Sequence, residues 1–82
     1  MPKPCSETGE KNLIGSRLAV LRKKAGLSQR LLAYKLQLAG YDMDKNVITR
    51  IEKNKRYVTD IEIKALSEIF VVSYKFLIDG QD

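Results

Sequence analysis

The stretch DKNVITRIEK, residues 44–53, sets two lysines, an arginine and an asparagine among a valine and two isoleucines. In a helix at roughly 100° per residue, Lys45, Asn46, Thr49, Arg50 and Lys53 fall within an arc of about 140°. Val47, Ile48 and Ile51 fill an arc of about 100° on the other side. One face is built to be buried. The other is built to touch something, or only to be wet.

Outward from this stretch the same helical signal repeats. In LIGSRLAVLRKKAG, residues 13–26, Ile14, Leu18, Leu21 and Ala25 recur at i, i+4, i+7 and i+11, ahead of a lysine-rich turn and a Gly26 stop. The four helices that follow begin with one device: an apolar residue, a capping residue, three others, then an apolar residue. The sets are Leu27-Ser28…Leu32, Met43-Asp44…Ile48, Val58-Thr59…Ile63 and Val72-Ser73…Leu77. Each is an N-cap between the two partners of a hydrophobic staple, and Thr59 with Glu62 completes a capping box. Five helices are expected, at about 13–25, 29–39, 45–53, 60–70 and 74–79. Their inward residues would be Ile14, Leu18, Leu21, Leu32, Ala33, Leu36, Met43, Ile48, Ile51, Ile63, Leu66, Phe70, Val72 and Leu77. Short helices and short loops predict an all-α orthogonal bundle over 13–82. Residues 1–12 hold both prolines and no apolar periodicity, and read as a flexible tail.

Composition narrows the function. With 82 residues the core is thin, and 44% hydrophobic against 30% charged content is that of a soluble globular domain. No apolar run spans a membrane and none near the N-terminus resembles a signal peptide. The single cysteine, Cys5, has no internal partner for a disulfide, which fits a reducing cytoplasm. Histidine is absent, the acids show no metal-ligand spacing, and there is no glycine-rich phosphate loop. These absences argue against catalysis and imply no cofactor and no small-molecule ligand. Net charge is +5, and residues 1–40 carry eight basic and two acidic side chains, so an electropositive side facing an anion is expected.

The segments LRKKAGLSQ and ITRIEKNKR, within the longer runs GLSQRLLAYKL and NVITRIEKNKR, resemble the helix-turn-helix domain of the Cro and phage-repressor type, the xenobiotic-response-element family. The resemblance runs from about Ile14 to Ile78. It implies a lambda-repressor-like fold in which helices 2 and 3 form the helix-turn-helix and helix 3 enters the DNA major groove. Lys45, Asn46 and Arg50 then match base-facing positions, with Thr49 between them. The chemistry agrees: arginine or lysine donates to guanine, and asparagine pairs bidentately with adenine. Gln29 matches a phosphate-holding position at the start of helix 2. Arg30, where the family often carries an acid, is a second phosphate contact or plain surface. Lys53, Asn54, Lys55 and Arg56 match the backbone-contacting segment after helix 3, and Asn54, replacing a frequent glycine, is expected in the left-handed region. Arg22 and Glu52 match an ion pair that ties helix 1 to helix 3.

Two departures stand out. QLAGYDMD lengthens the turn between helices 2 and 3 by about five residues and adds a stripe of Leu31, Tyr34, Leu38 and Tyr41 on helix 2. That stripe packs the longer turn on itself or faces a protein partner. Val71 sits where helix 4 should end in a residue with positive φ, so either the helix ends differently or strain is stored there. Tyr74, Phe76 and Ile78 serve the core or a dimer contact. The leading expectation is a sequence-specific regulator of double-stranded DNA, a repressor of bacterial or phage type, acting as a homodimer on a two-fold operator with half-sites about 34 Å apart. The alternative is a protein-interaction module, such as an antitoxin or a modulator of another regulator, with secondary DNA binding.

Overall fold

The structure, a computed structural model, describes residues 9–81; Cys5 and the rest of the tail up to residue 8 lie outside the described residues. It contains α1 (Gly15–Lys24), α2 (Gln29–Leu38), α3 (Lys45–Glu52), α4 (Asp60–Phe70) and α5 (Tyr74–Asp79), with no strand among the described residues. Each of the four predicted caps closes its helix: Ser28, Asp44, Thr59 and Ser73 side chains accept from the N–H of Leu31, Val47, Glu62 and Phe76. Glu62 reaches back to the Thr59 N–H, so the capping box is complete.

The helices also end alike. At the close of α1, α2, α3 and α4, one residue takes positive φ: Gly26, Gly40, Asn54 and Val71. The next N–H turns back to a carbonyl five residues earlier, in Leu27 to Arg22, Tyr41 to Leu36, Lys55 to Arg50 and Val72 to Ser67. Asn54, at φ 59°, adopts the expected left-handed conformation. Val71 does so too, at φ 54° and ψ 51°, which resolves its two alternatives in favour of strain.

The first helix starts later than periodicity alone predicts, at Gly15 instead of residue 13. Asn12 is the cause. Its Oδ1 accepts from the N–H groups of Ile14 and Gly15, so the chain turns into the helix from Asn12.

The core is Ile14, Leu18, Leu32, Ala33, Leu36, Met43, Ile48, Ile51, Ala65, Leu66 and Leu77, all buried. Leu21, Ile63, Phe70 and Val72, also expected inside, are partly buried and pack against it. Ala65 was not among the expected residues. Helices α1 and α2 both pack on α3, and α2 and α5 on α4. Thus α3 is held from behind by two helices, with its polar arc outward.

Gly15 permits the closest of these approaches. A Cβ there would lie 2.3 Å from the Ile51 carbonyl oxygen and 2.7 Å from Asn54 Nδ2. Only a hydrogen side chain lets α1 meet the end of α3 so closely.

Candidate nucleic-acid interface

Helix α3 starts after the longer turn, whose shape is set by local bonds. The Gln37 amide donates to the Met43 carbonyl at 3.3 Å, while Met43 itself is buried in the core. Asp44 then caps α3, and Ile48 and Ile51 plug its inner face into the core. The plug fixes the rotation of the helix about its axis. Lys45, Asn46 and Arg50 are consequently exposed.

Thr49 is different. It is half-buried, and its hydroxyl lies 2.8 Å from Gln29 Oε1 and 2.9 Å from the Lys45 carbonyl oxygen. Gln29 in turn donates from Nε2 to Glu52 Oε1 at 3.0 Å. The same carboxylate accepts from Arg22 Nε at 2.6 Å and from Arg22 Nη2 at 3.0 Å. Arg22 Nη1 finally donates to the Leu27 carbonyl at 2.9 Å. One connected network therefore joins α1, the turn before α2, the first residue of α2 and the exposed face of α3. With side chains only 11% and 8% exposed, Arg22 and Glu52 form a two-pronged pair of the kind a guanidinium and a carboxylate make best. The bond to Glu52 holds the Arg22 guanidinium above even its ordinary high pKa, against the opposing pull of burial. Gln29 keeps one N–H of its amide for a further acceptor.

Past α3, Lys53 and Lys55 are exposed. Arg56 and Asn54 are not comparably free. Arg56 Nη1 lies 2.9 Å from both oxygens of Glu62, the carboxylate of the α4 capping box. The Asn54 amide donates to the carbonyl and side-chain oxygens of Asn12, at 3.2 and 2.9 Å. Arg30, beside Gln29, is exposed. The exposed cations Arg30, Lys45, Arg50, Lys53 and Lys55 thus belong to the start of α2, to α3 and to the loop that follows it.

Asn12 is the residue that sequence reading missed. Its bonds to Ile14 and Gly15 are local, and the cap spacing to Gly15 is visible in sequence, but its other partners, Ile51, Asn54 and Arg56, lie about forty positions away.

The helix 2 stripe divides. Leu31, Tyr34 and Leu38 are exposed, whereas Tyr41 is half-buried against the core and its hydroxyl donates to Glu68. That hydrogen bond raises the Tyr41 pKa from its ordinary 10.0. Ile61, Tyr74 and Ile78 are exposed around a shallow groove between α4 and α5, completed by Asp60, Ile63 and Lys64. Phe76 is half-buried near Ser16, Arg17 and Val20 of α1.

Two helices joined by a turn, the second presenting a polar face and tied to the first by partly buried hydrogen bonds, define a helix-turn-helix. A family model described as helix-turn-helix matches residues 18–77. The chain belongs to the helix-turn-helix family of the Cro and phage-repressor type, a family of DNA-binding regulators. No curated protein and no solved structure matches the chain. No helix among the described residues is long and apolar enough to cross a membrane.

Proposed function

We propose that this protein is a sequence-specific regulator of transcription, a repressor of bacterial or phage type, that inserts α3 into the major groove of double-stranded DNA. The observation that carries the reading is the exposed set Lys45, Asn46 and Arg50 on a helix whose opposite face buries Ile48 and Ile51 in the core. Long donors on a helix that cannot rotate are what base-edge recognition requires. In this reading Arg50 and Lys45 donate to guanine and Asn46 pairs with adenine. Thr49, held by Gln29, lines the same face.

Gln29, Arg30, Lys53 and Lys55 contact phosphate and set the register of α3. Arg56 and Asn54 serve that contact from within, by holding the loop. Arg22 and Glu52 orient α3 without touching DNA. Two copies act as a dimer on a two-fold operator, and the groove flanked by Ile61, Tyr74 and Ile78 is the face we assign to the second copy. Its rim carries both Asp60 and Lys64, opposite charges that a two-fold axis can set against each other.

A second reading keeps the Leu31, Tyr34 and Leu38 stripe for a protein partner, as in an antitoxin or a modulator of another regulator. Its support is the exposure of those three side chains on α2.

Selection of sites from a random duplex pool at about 150 mM salt separates the readings, because non-specific attraction to phosphate is weakened there. Enrichment of a two-fold symmetric motif is expected. Binding that fades with salt and enriches no motif would instead direct the search to a protein partner.

A further inference from the structure

The least expected feature of the fold is the number of bonds that converge on Asn12. Its Nδ2 donates to the Ile51 carbonyl at 3.1 Å and to the Arg56 carbonyl at 3.0 Å. Its Oδ1 accepts from Ile14 N–H, Gly15 N–H and Asn54 Nδ2 at 3.2, 2.9 and 2.9 Å. Both amide hydrogens are used, and so is the oxygen. Next to it the Lys11 N–H donates to the Asn54 carbonyl at 3.1 Å, and the Lys11 ammonium lies 5.7 Å from the centre of the Tyr57 ring.

Those partners are chosen by position. Ile51 is in the last turn of α3, Asn54 is the left-handed residue that closes it, and Arg56 ends the short run carrying Lys53 and Lys55. Loops of this kind ordinarily move freely. Here the start, middle and end of the loop are tied to a single carboxamide from the other end of the chain. Gly15 is what lets that carboxamide come close enough.

We infer that Asn12 is a positioning residue for the segment 53–56, holding it in the shape that presents Lys53 and Lys55 to the DNA backbone. This rests on the reading of that segment as a phosphate contact. No other common side chain supplies two donors and an acceptor at this reach: aspartate keeps the acceptors and loses both donors, and serine keeps only the turn into α1.

The test is the salt dependence of binding to a labelled random-sequence duplex, between about 50 and 200 mM salt, where each phosphate contact adds about 0.9 to the slope of log K against log salt. In the otherwise unchanged protein, Lys53→Ala with Lys55→Ala is expected to lower that slope by about 1.8. Asn12→Ser, whose hydroxyl can still turn the chain into α1, is expected to lower it by about one or more while the helical circular dichroism is retained. On the Asn12→Ser background the two lysine substitutions should then lower the slope only by what remains, about 0.8 or less instead of about 1.8. Asn54→Gly keeps the left-handed residue but drops its bonds to Asn12; it should move the slope in the same direction and stands in if Asn12→Ser does not fold.

An unchanged slope in Asn12→Ser, with the lysine substitutions still costing their full amount there, would overturn the inference. If the lysine substitutions leave the slope of the otherwise unchanged protein intact, the phosphate-contact reading falls, and the inference falls with it.

Discussion

The side chains of Arg22, Gln29, Thr49 and Glu52 tie α3 to α1 and α2. Their hydrogen bonds form one network in which each member holds the next. Removing Arg22 leaves the Glu52 carboxylate with the Gln29 amide alone, in a site only 8% exposed. Arg22→Ala is expected to cost about 3 kcal/mol in a urea melt, at the low end of the range for a broken buried pair because one edge still meets solvent. Equal midpoints for the variant and the unchanged protein would contradict it. Tyr41 offers a test by pH. Its folded pKa is raised, so its bond to Glu68 contributes below the ordinary value of 10.0 and is lost as pH climbs through the higher folded one. In an alkaline titration followed by tyrosinate absorbance, one of the four tyrosines should ionise late, and Glu68→Ala should bring it forward. Coincident curves would rule the bond out. At this scale sequence reading went partway. The type and spacing of Lys45, Asn46 and Arg50 could be read from a helical wheel. That Thr49 and Gln29 turn toward each other, that Arg56 faces Glu62 and that Asn54 faces Asn12 could not, because each pairing depends on how whole helices meet.

At the level of elements the chain is unusually legible, for a physical reason. Caps act within three or four residues, so Ser28, Asp44, Thr59 and Ser73 announce their helices without reference to the rest of the fold. The start of α1 is less visible, since its turn is made by an asparagine three residues before the first residue of that helix. Ala65 carries little apolar signal, though it is fully buried in the core. Ile61, by contrast, is a strong apolar signal that ends up exposed. At the end of α4 local preference and fold disagree. Val71 holds a left-handed conformation that costs an L-residue about 1–2 kcal/mol, and its side chain is 89% exposed, so packing offers little in return. Val71→Gly is therefore expected to stabilise the domain by about 1 kcal/mol, less than the full strain because glycine also loses more backbone entropy on folding. A melt of Val71→Gly at or below the unchanged protein would show that the strain is relieved elsewhere.

At the scale of the molecule, burial and charge fit a DNA-binding helix-turn-helix domain. The core runs behind α3, and the exposed cations of α2, α3 and the following loop lie on the elements it supports. The lengthened turn is absorbed without disturbing this plan: Met43 drops into the core, Tyr41 packs against it, and Asp44 still caps α3. What sequence could not place were the apolar surfaces left over, on α2 and along the groove between α4 and α5, because whether a hydrophobic residue is covered depends on what packs over it. Whether the exposed face of α3 reads bases is decided by comparing the duplex motifs enriched by the unchanged protein and by Arg50→Ala. The variant is expected still to enrich a two-fold motif but to lose its preference at one base pair, at the same place in both halves, a loss of about 1–3 kcal/mol of discrimination. Identical motifs from the two proteins would contradict it.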